Sequence, residues 1–235
     1  MTVGEIRKRL QAMGNPTLAV TCQRFFKTGP GDYGEGDIFL GIRADPLRKF
    51  TRECRGSPLS EVETLLHSPI HESRALALLL LVDAMSDVAK QRQIFDFYLA
   101  NTRFVNNWDL VDLSARDIAG AYLSERSRRP LHRLARSKLI WERRIAIVAT
   151  HHFIRQHDFA DTLTIAERLL GDREDLIHKA VGWMLREIGK RDQDVVEAFL
   201  REHHARMPRT ALRYAIERFP EKKRQAYLRR NVTKK

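Results

Sequence analysis

The chain has 235 residues and a mass of 27.3 kDa, which suits one domain of ordinary size or two small ones. It is 43% hydrophobic and 31% charged, so it has enough apolar material for a core and is not a disordered chain. The net charge of +12 makes a nucleic acid or an anionic membrane surface the first partner to consider, and two cysteines are too few for a disulfide framework or a multi-cysteine zinc site.

The N-terminal quarter is rich in glycine and proline, which concentrate between Gly29 and Pro58. Residues 29–34 formally read Gly-x-Gly-x-x-Gly, but no apolar strand precedes them and Pro30 interrupts them. We therefore reject a dinucleotide site here and predict a structured loop that joins the early helices to residues 39–42.

Beyond Gly56 the apolar residues recur at spacings of three and four, which predicts helices, and no segment alternates like a strand. The fold class predicted is all-α. The predicted helix pairs are 60–67 with 72–85, 90–100 with 107–123, 131–137 with 141–156, 159–170 with 174–189, and 194–205 with 209–219.

The second helices of these pairs start alike, with a basic residue followed by small and branched apolar residues. Arg74 and Arg144 are 70 residues apart, and Arg144 and Lys179 are 35 apart. A period of this length with two helices per unit predicts a HEAT-like helical-repeat solenoid with a concave basic cleft. We predict one solenoid domain over 1–235, with N-terminal helices and the Gly/Pro-rich loop in 1–58, repeats in 59–219 and a basic tail in 220–235.

The repeated basic residues would form a stripe along the concave surface, with a spacing that suits a phosphate backbone. The alternative is a solvated helix face with scattered charge. The basic tail either adds non-specific DNA affinity or is a frayed terminus.

Two tryptophans draw attention as candidate functional residues. Trp108 and Asp112 are four residues apart, so on a helix they share a face, and Asn106 or Asn107 would cap that helix. The alternative is a core tryptophan with a structural carboxylate. Trp183 follows Gly182, which allows something to approach closely, although a core tryptophan is again the alternative.

Three motifs in this order resemble the AlkD-like alkylpurine DNA glycosylases of the DNA alkylation repair family, over roughly residues 25–214. They are Asn107-Trp108-Asp109-x-Val111-Asp112, Trp141-x-Arg143-Arg144 and Lys179-Ala180-x-Gly182-Trp183-x-Leu185-Arg186-Glu187. The resemblance implies a HEAT-like solenoid that holds duplex DNA. It also implies hydrolysis of the N-glycosidic bond of cationic alkylated purines, such as 3-methyladenine and 7-methylguanine, without flipping the base into a pocket.

The resemblance also implies residue roles. Asp112 is the expected catalytic carboxylate, Trp108 and Trp183 form an aromatic cleft around the lesion, and Arg144 binds the DNA backbone. The other expected DNA contacts are Arg143, Lys179, Arg74 and Phe25. Phe25 stands where the family often has a tyrosine, so the ring is kept and the hydroxyl is lost; a core aromatic is the alternative.

These residue types suit the chemistry. An alkylated purine is already a cationic leaving group and needs no general acid. Bond cleavage builds positive charge on the sugar, which a carboxylate stabilises while it orients or deprotonates the attacking water. We expect no lyase step, since Lys179 is placed for phosphate contact.

The expected partner is double-stranded DNA containing alkylated purines, bound by a monomer, with no membrane partner, no metal and no cofactor. Two unflanked thiols and a start without an apolar signal core predict a cytoplasmic protein. It would associate with the nucleoid when it acts on DNA. Two rival functions stay open. One is a non-catalytic HEAT-repeat binder of damaged or branched DNA, which would not need the two tryptophans and Asp112. The other is a protein-interaction solenoid, which the charge of +12 disfavours.

Overall fold

A computed structural model describes residues 1–229 and confirms the all-α fold class. The structure is 66% helical. Within residues 1–229 the only β-type pairing is an isolated bridge between Ile38 and Ile70. No helix in this part of the chain is long and apolar enough to cross a bilayer.

The chain divides into two compact units, with the boundary between Ser114 and Ala115. Unit 1 comprises Met1–Ser114, and unit 2 comprises the described residues from Ala115 onward. The helical-repeat character is established, whereas the single domain stays a prediction.

Unit 1 is built from seven helices among the described residues. They are α1 (Val3–Met13), α2 (Pro16–Phe25), α3 (Ala44–Glu53), α4 (Leu59–Leu66), α5 (His71–Ala84), α6 (Gln91–Ala100) and α7 (Trp108–Ser114), with a 3₁₀ turn at Thr102–Phe104. Local sequence signals set where the first two helices begin. The Thr2 hydroxyl and the Glu5 carboxylate form a capping box at the start of α1, and Asn15 caps α2 ahead of Pro16.

Helix α5 is the core of unit 1. Its apolar run begins at Ala75, and the helix is buried on nearly every side, which is the pattern of a helix surrounded by others. It packs against α3, α4 and α7. Because its first turn is also buried, His71, Glu72 and Arg74 are polar side chains inside a core, and each requires partners there.

Unit 2 contains nine helices among the described residues. They are α8 (Ala121–Leu123), α9 (Arg129–Leu134), α10 (Ile140–Ala149), α11 (His151–Ile154), α12 (Ala160–Leu169), α13 (Asp175–Gly189), α14 (Gln193–His203), α15 (Arg209–Ala215) and α16 (Glu221–Leu228). The core contains Ile145, Ile147, Phe153, Met184 and Leu185, all without exposed surface.

The helix predicted over 107–123 is interrupted. Helix α7 ends at Ser114, and a π-helical turn at Arg116–Gly120 follows before α8. At this turn the backbone packs very closely on the end of α10, because a Cβ on Gly120 would lie 2.3 Å from the carbonyl oxygen of Ala149.

A basic residue near the start of α5, of α10 and of α13 connects that helix to the loop before it. The guanidinium of Arg74 donates to the carbonyl of Ser68 at 2.8 Å, and that of Arg143 donates to Ser137 at 3.0 Å. The His178 ring lies 2.7 Å from the carbonyl of Asp172. In all three contacts the acceptor stands six residues before the basic side chain. The equivalent positions of the repeat are therefore Arg74, Arg143 and His178. The sequence pattern alone had placed the last two at Arg144 and Lys179.

The structure gives no support to the predicted contact of Arg74 with phosphate, which stays a prediction. The side chain of Arg74 is 4% exposed, lies 2.6 Å from the buried carboxylate of Asp37 and faces the interior of unit 1. Arg74, which was assigned to the basic stripe, thus forms an ion pair in the core. Its position in the repeat does not reveal which way its long side chain points.

The beginning of the basic tail is structured. Helix α16 buries Tyr227, whose ring meets Phe219 and His204 edge-on, and Lys223 pairs with Glu197. Residues 221–228 are therefore not a frayed terminus. The rest of the predicted tail, 230–235, lies outside the described residues.

Candidate active site

Trp108 and Asp112 lie one turn apart on α7, so they share a face of that helix, and both are half-buried. Asn107 immediately precedes the helix, and its side-chain oxygen accepts a hydrogen bond from the Trp108 backbone N–H at 2.8 Å. Of the two asparagines predicted to cap this helix, the structure selects Asn107, which is completely buried.

A buried polar network holds the start of α7. Asp37, at the end of the Gly-rich loop, receives hydrogen bonds from Arg74 at 2.6 Å and Asn106 at 3.1 Å, and Asn107 approaches it at 3.4 Å. His71 bridges from the other side, with Nδ1 3.0 Å from Asp37 and Nε2 2.8 Å from Asp109. The network thus connects a loop, α5 and the first turn of α7, and it fixes where Trp108 and Asp112 lie.

His71 carries the proton of this network. Burial by itself would lower the pKa of His71, but the hydrogen bonds to Asp109 and Asp37 outweigh it and raise that pKa to about 9. Burial would likewise raise the pKa of Asp37, whereas the contacts with His71 and Arg74 lower it overall. At neutral pH the network is therefore an imidazolium and a guanidinium compensated by two carboxylates.

An aromatic stack adjoins the network, and we call it the Trp108 cluster. Its members are Phe25, Phe26, Phe39, His71 and Trp108. Phe26 stacks on Trp108 with ring centroids 5.2 Å apart and on Phe39 at 4.9 Å, and Phe39 stacks on His71 at 4.3 Å. The Trp108 ring is thus supported from behind by other rings.

Phe25 is the exposed end of this cluster. It is 64% exposed and meets Trp108 edge-on at 5.9 Å. The alternative of a core aromatic is wrong, because Phe25 is at the end of α2, a helix with no buried residue. An exposed ring next to Trp108 is well placed for stacking on a ligand, although its contact with DNA stays a prediction.

Behind Asp112 lies a neutral hydroxyl pair. The Tyr98 hydroxyl is completely buried and lies 2.9 Å from the Ser114 hydroxyl. Burial raises the pKa of Tyr98, and the negative charge of Asp112 adds to the effect. Tyr98 therefore stays protonated at neutral pH.

Trp183 lies in unit 2 within a polar cluster of its own, formed with His151, Glu187 and Lys190. Its indole N–H donates to the Glu187 carboxylate at 3.2 Å, and Lys190 binds the same oxygen at 2.5 Å. His151 meets the indole edge-on at 5.8 Å. Burial lowers the pKa of His151, whereas the Lys190 ammonium holds the pKa of Glu187 below its usual range against the effect of burial.

Donation to a carboxylate fixes the orientation of the indole and enriches its π face, which favours a cation placed over that face. Gly182, just before Trp183, allows the close approach that was predicted: a Cβ there would lie 2.5 Å from both the Ala211 carbonyl oxygen and the Tyr214 Cβ. The element that approaches is α15.

The remaining predicted DNA contacts are engaged with protein groups. Arg143 pairs with Asp172 at 2.6 Å, and Lys179 pairs with Asp175 at 2.9 Å. Arg144 is 4% exposed and donates to the Leu176 carbonyl at 2.6 Å. Their roles toward phosphate stay predictions. In the part of the chain that the structure describes, no group of three His, Cys, Asp or Glu side chains is placed to hold a metal ion.

Residues 6–219 match the sequence profile of a family described as DNA alkylation repair enzyme. The chain belongs to this family. The resemblance drawn from the three motifs is thereby confirmed at the level of the family and its fold. No curated protein matches the chain in sequence.

Solved structures share the helical-repeat fold. A predicted DNA alkylation repair enzyme from Enterococcus faecalis matches with a TM-score of 0.67 at 18% identity, over 89% of this chain and 98% of its own. AlkD2 from Streptococcus mutans matches at 0.56 and 14% identity, over 86% and 97%. The protein smu.31 from Streptococcus mutans UA159 matches at 0.56 and 16% identity, over 74% and 92%. Identities this low establish the fold alone.

The structure places the predicted residues in two groups. Phe25, Trp108 and Asp112 lie in unit 1, with Phe25 and Trp108 in contact, whereas Arg143, Arg144, Lys179 and Trp183 lie in unit 2. That the two groups act on one nucleotide stays a prediction. Sequence reasoning assigned no role to the supporting residues Asp37, His71, Phe26 and Glu187. Glu187 ends the third motif and stands four residues after Trp183 on the same helix, so its contact with the indole could have been predicted.

Proposed function

We propose that this protein is a monofunctional DNA glycosylase that hydrolyses the N-glycosidic bond of cationic alkylated purines, such as 3-methyladenine and 7-methylguanine, in duplex DNA. The observation that carries the proposal is the pairing of Trp108 with Asp112 on one face of α7, a helix fixed at its start by the charged network of Asp37, His71 and Asp109. Membership of the DNA alkylation repair family supplies the context.

The chemistry divides between the carboxylate and the rings. As the bond to the cationic purine lengthens, positive charge develops on the sugar, and the Asp112 carboxylate stabilises this charge and orients or deprotonates the attacking water. The face of Trp108, like that of Trp183 in unit 2, attracts cations. That both rings hold the same nucleotide is implied only by the resemblance.

Two further parts of the proposal rest on separate arguments. Base excision without flipping into a pocket follows from the resemblance to AlkD-like proteins. The absence of a lyase step is supported by Lys179, whose ammonium pairs with Asp175 at 2.9 Å, because Schiff-base formation requires a neutral amine.

The test is release of free base from a duplex that contains one 7-methylguanine. We expect the wild type to release the base and Asp112→Asn to be slower by about 10²-fold or more, since the amide has no charge to stabilise the sugar cation. Asp45→Asn serves as the control, because the Asp45 side chain is 90% exposed on α3, and it should match the wild type.

The rival functions give different results. Tight, salt-sensitive duplex binding without release by the wild type would support the non-catalytic binder of damaged or branched DNA. Excision by Asp112→Asn at the wild-type rate would remove the carboxylate from the mechanism. Strand cleavage at the product site, or borohydride trapping on Lys179, would contradict monofunctional action.

A further inference from the structure

Residues 126–138 of unit 2 form a strongly basic segment. They include five arginines and one lysine and no aspartate or glutamate, so the segment carries half of the net charge of +12. It comprises the loop before α9, the helix itself and the turn after it. None of these residues belongs to the candidate active site, and their charge therefore has no role assigned so far.

Helix α9 gives this segment an apolar side and a basic side. Leu131 and Leu134 are buried, and α9 packs against α10. Arg129, Arg133 and Arg136 recur at spacings of four and three, and the backbone N–H of Arg136 still donates to the Arg133 carbonyl at 3.0 Å. The three arginines therefore share the opposite side, where all are exposed, over about 10 Å of the helix axis.

The three guanidinium groups on this side have no partner in the protein. Within residues 1–229 none of them takes part in a side-chain hydrogen bond or an ion pair. By contrast, Arg9 and Arg206, which are exposed as well, each pair with a glutamate. Like charges on one helix face repel each other, and a bound polyanion would relieve that repulsion. The basic side of α9 is therefore free for a partner outside the chain.

Arg128 has a different task, because it anchors the segment. Its guanidinium binds Asp158 at 2.6 Å and Asp161, in the first turn of α12, at 2.9 Å. The same group lies over the ring of Phe153, 3.8 Å from the centroid. The start of α9 is thus held in place before any partner binds, so the three free arginines are presented in a fixed row.

The surroundings of the row favour duplex DNA among the polyanions. A membrane-surface helix needs an apolar side for the lipid, but the apolar side of α9 is already buried in the protein. A single-stranded nucleic acid is held by stacking on exposed aromatic rings, and residues 126–138 contain none. Arginines without such rings suit a duplex backbone, whose phosphate oxygens match the planar guanidinium fork.

The row is also separate from the polar cluster of Trp183. Helix α10 packs against both α9 and α13, the helix that carries Trp183. Because the apolar side of α9 packs on α10, its basic side points away from α10. A duplex on this side would meet a different surface of unit 2 from a nucleotide at Trp183.

We propose that Arg129, Arg133 and Arg136 bind the phosphate backbone of a DNA duplex other than the one engaged at the candidate active site. The chain would then hold two duplex segments at once. The inference rests on the proposed function only in that the candidate active site binds a duplex of its own.

The test is the number of short undamaged duplexes that one full-length chain binds at about 50 mM salt, measured by calorimetric titration. We expect two for the wild type and one for Arg129→Gln/Arg133→Gln/Arg136→Gln. The corresponding triple lysine variant keeps the charge and should still bind two. The second binding event should show a slope of log Kd against log salt of about 3, since each of three phosphate contacts releases about 0.9 counterion.

The matched control is Arg7→Gln/Lys8→Gln/Lys49→Gln. It removes the same charge from exposed positions of α1 and α3 in unit 1, and it should still bind two duplexes. Urea unfolding of both glutamine variants checks that they remain folded, which we expect because all the substituted side chains are exposed.

Three results would overturn the proposal. They are a single duplex per wild-type chain that the triple glutamine variant of α9 retains, loss of the second duplex from the control as well, and capture of phosphatidylserine vesicles with no second duplex. Release of 7-methylguanine is measured in parallel and should be unchanged in the α9 variant. Two bound duplexes without base release would support this inference and contradict the proposed function, so the two can fail separately.

Discussion

His71 has the clearest ionisation behaviour of any residue near the candidate site. Its pKa is about 9 in the folded protein and 6.5 when the side chain is unperturbed. Because folding raises this pKa, the proton stabilises the fold fully below pH 6.5, and that stabilisation is lost as the pH rises through 9. A shift of this size corresponds to about 3–4 kcal/mol at most.

We therefore predict that the wild type loses stability between pH 6.5 and 9.5 more steeply than His71→Gln, which has no proton to lose. Urea unfolding of both proteins across this range measures the effect, and the difference between the two curves cancels the other titrating groups. Curves that run parallel would show that the network of Asp37, His71 and Asp109 does not bind the proton as tightly as its geometry indicates.

Phe25 gives a second prediction at the residue scale. Because it is 64% exposed, its removal should leave folding unchanged, yet its ring meets Trp108 and is positioned to stack on a nucleotide. We expect Phe25→Ala to weaken binding of a lesion-containing duplex about tenfold, the effect of losing one aromatic stacking partner.

Fluorescence anisotropy with a labelled duplex measures that binding, and Val20→Ala is the matched control. Val20 is on the same helix and is 51% exposed. If the two variants bind DNA alike, Phe25 is an ordinary exposed side chain. Phe25→Tyr, which restores the hydroxyl often found in the family, tests whether the missing hydroxyl changes lesion scope.

At the scale of elements, the sequence located the helices well and the directions of their polar side chains poorly. Periodicity predicted α5 and α13 within a residue or two, because the burial of apolar faces imposes it. The clamps that Arg74 and Arg143 form to carbonyls six residues upstream depend on the preceding loop, which leaves no periodic signal. For the same reason the sequence pattern alone assigned the repeated basic position to Arg144 instead of Arg143.

The contact between α13 and α15 gives a prediction about packing. A Cβ on Gly182 would lie 2.5 Å from the backbone carbonyl oxygen of Ala211. That oxygen cannot move away unless α15 itself moves. We expect Gly182→Ala to lower the free energy of unfolding by about 1–3 kcal/mol, the usual cost of overpacking, and more if α15 separates.

Gly189→Ala is the matched control, since it lies on the same helix and its new Cβ would meet only the Val196 side chain at 3.6 Å, an ordinary contact. That variant should be neutral or slightly stabilised, because alanine favours helix. Chemical denaturation of both proteins decides the matter. If Gly182→Ala is as stable as Gly189→Ala, the close approach of α15 does not determine stability.

The candidate site shows a similar limit. Trp108 and Asp112 were predictable, since both lie within five residues on one helix. The network that fixes them was not, because Asp37 lies 34 residues from His71 and 70 from Asn107, and only the tertiary fold brings the three together. Local sequence thus marks the groups proposed to react, whereas the groups that hold them come from distant segments.

For the whole molecule, attraction to a polyanion depends on basic residues that are exposed, and most of those first predicted are buried or paired. Arg74 is buried, and Arg143 and Lys179 are paired with carboxylates. Arg24 and Lys27 are both exposed and flank the phenylalanines of the Trp108 cluster in sequence. They are better candidates for phosphate contact than the repeat positions.

We predict that duplex binding weakens roughly 10²-fold between 50 and 200 mM salt, because a few phosphate contacts release their counterions. The double variant Arg24→Ala/Lys27→Ala should reduce the slope of log Kd against log salt by about 1–2. Arg7→Ala/Lys8→Ala removes the same charge from exposed positions on α1 and is the control. Equal slopes for the two double variants would mean that attraction to DNA is a property of total charge. No measurable duplex binding even at 50 mM salt would instead favour a protein-interaction solenoid.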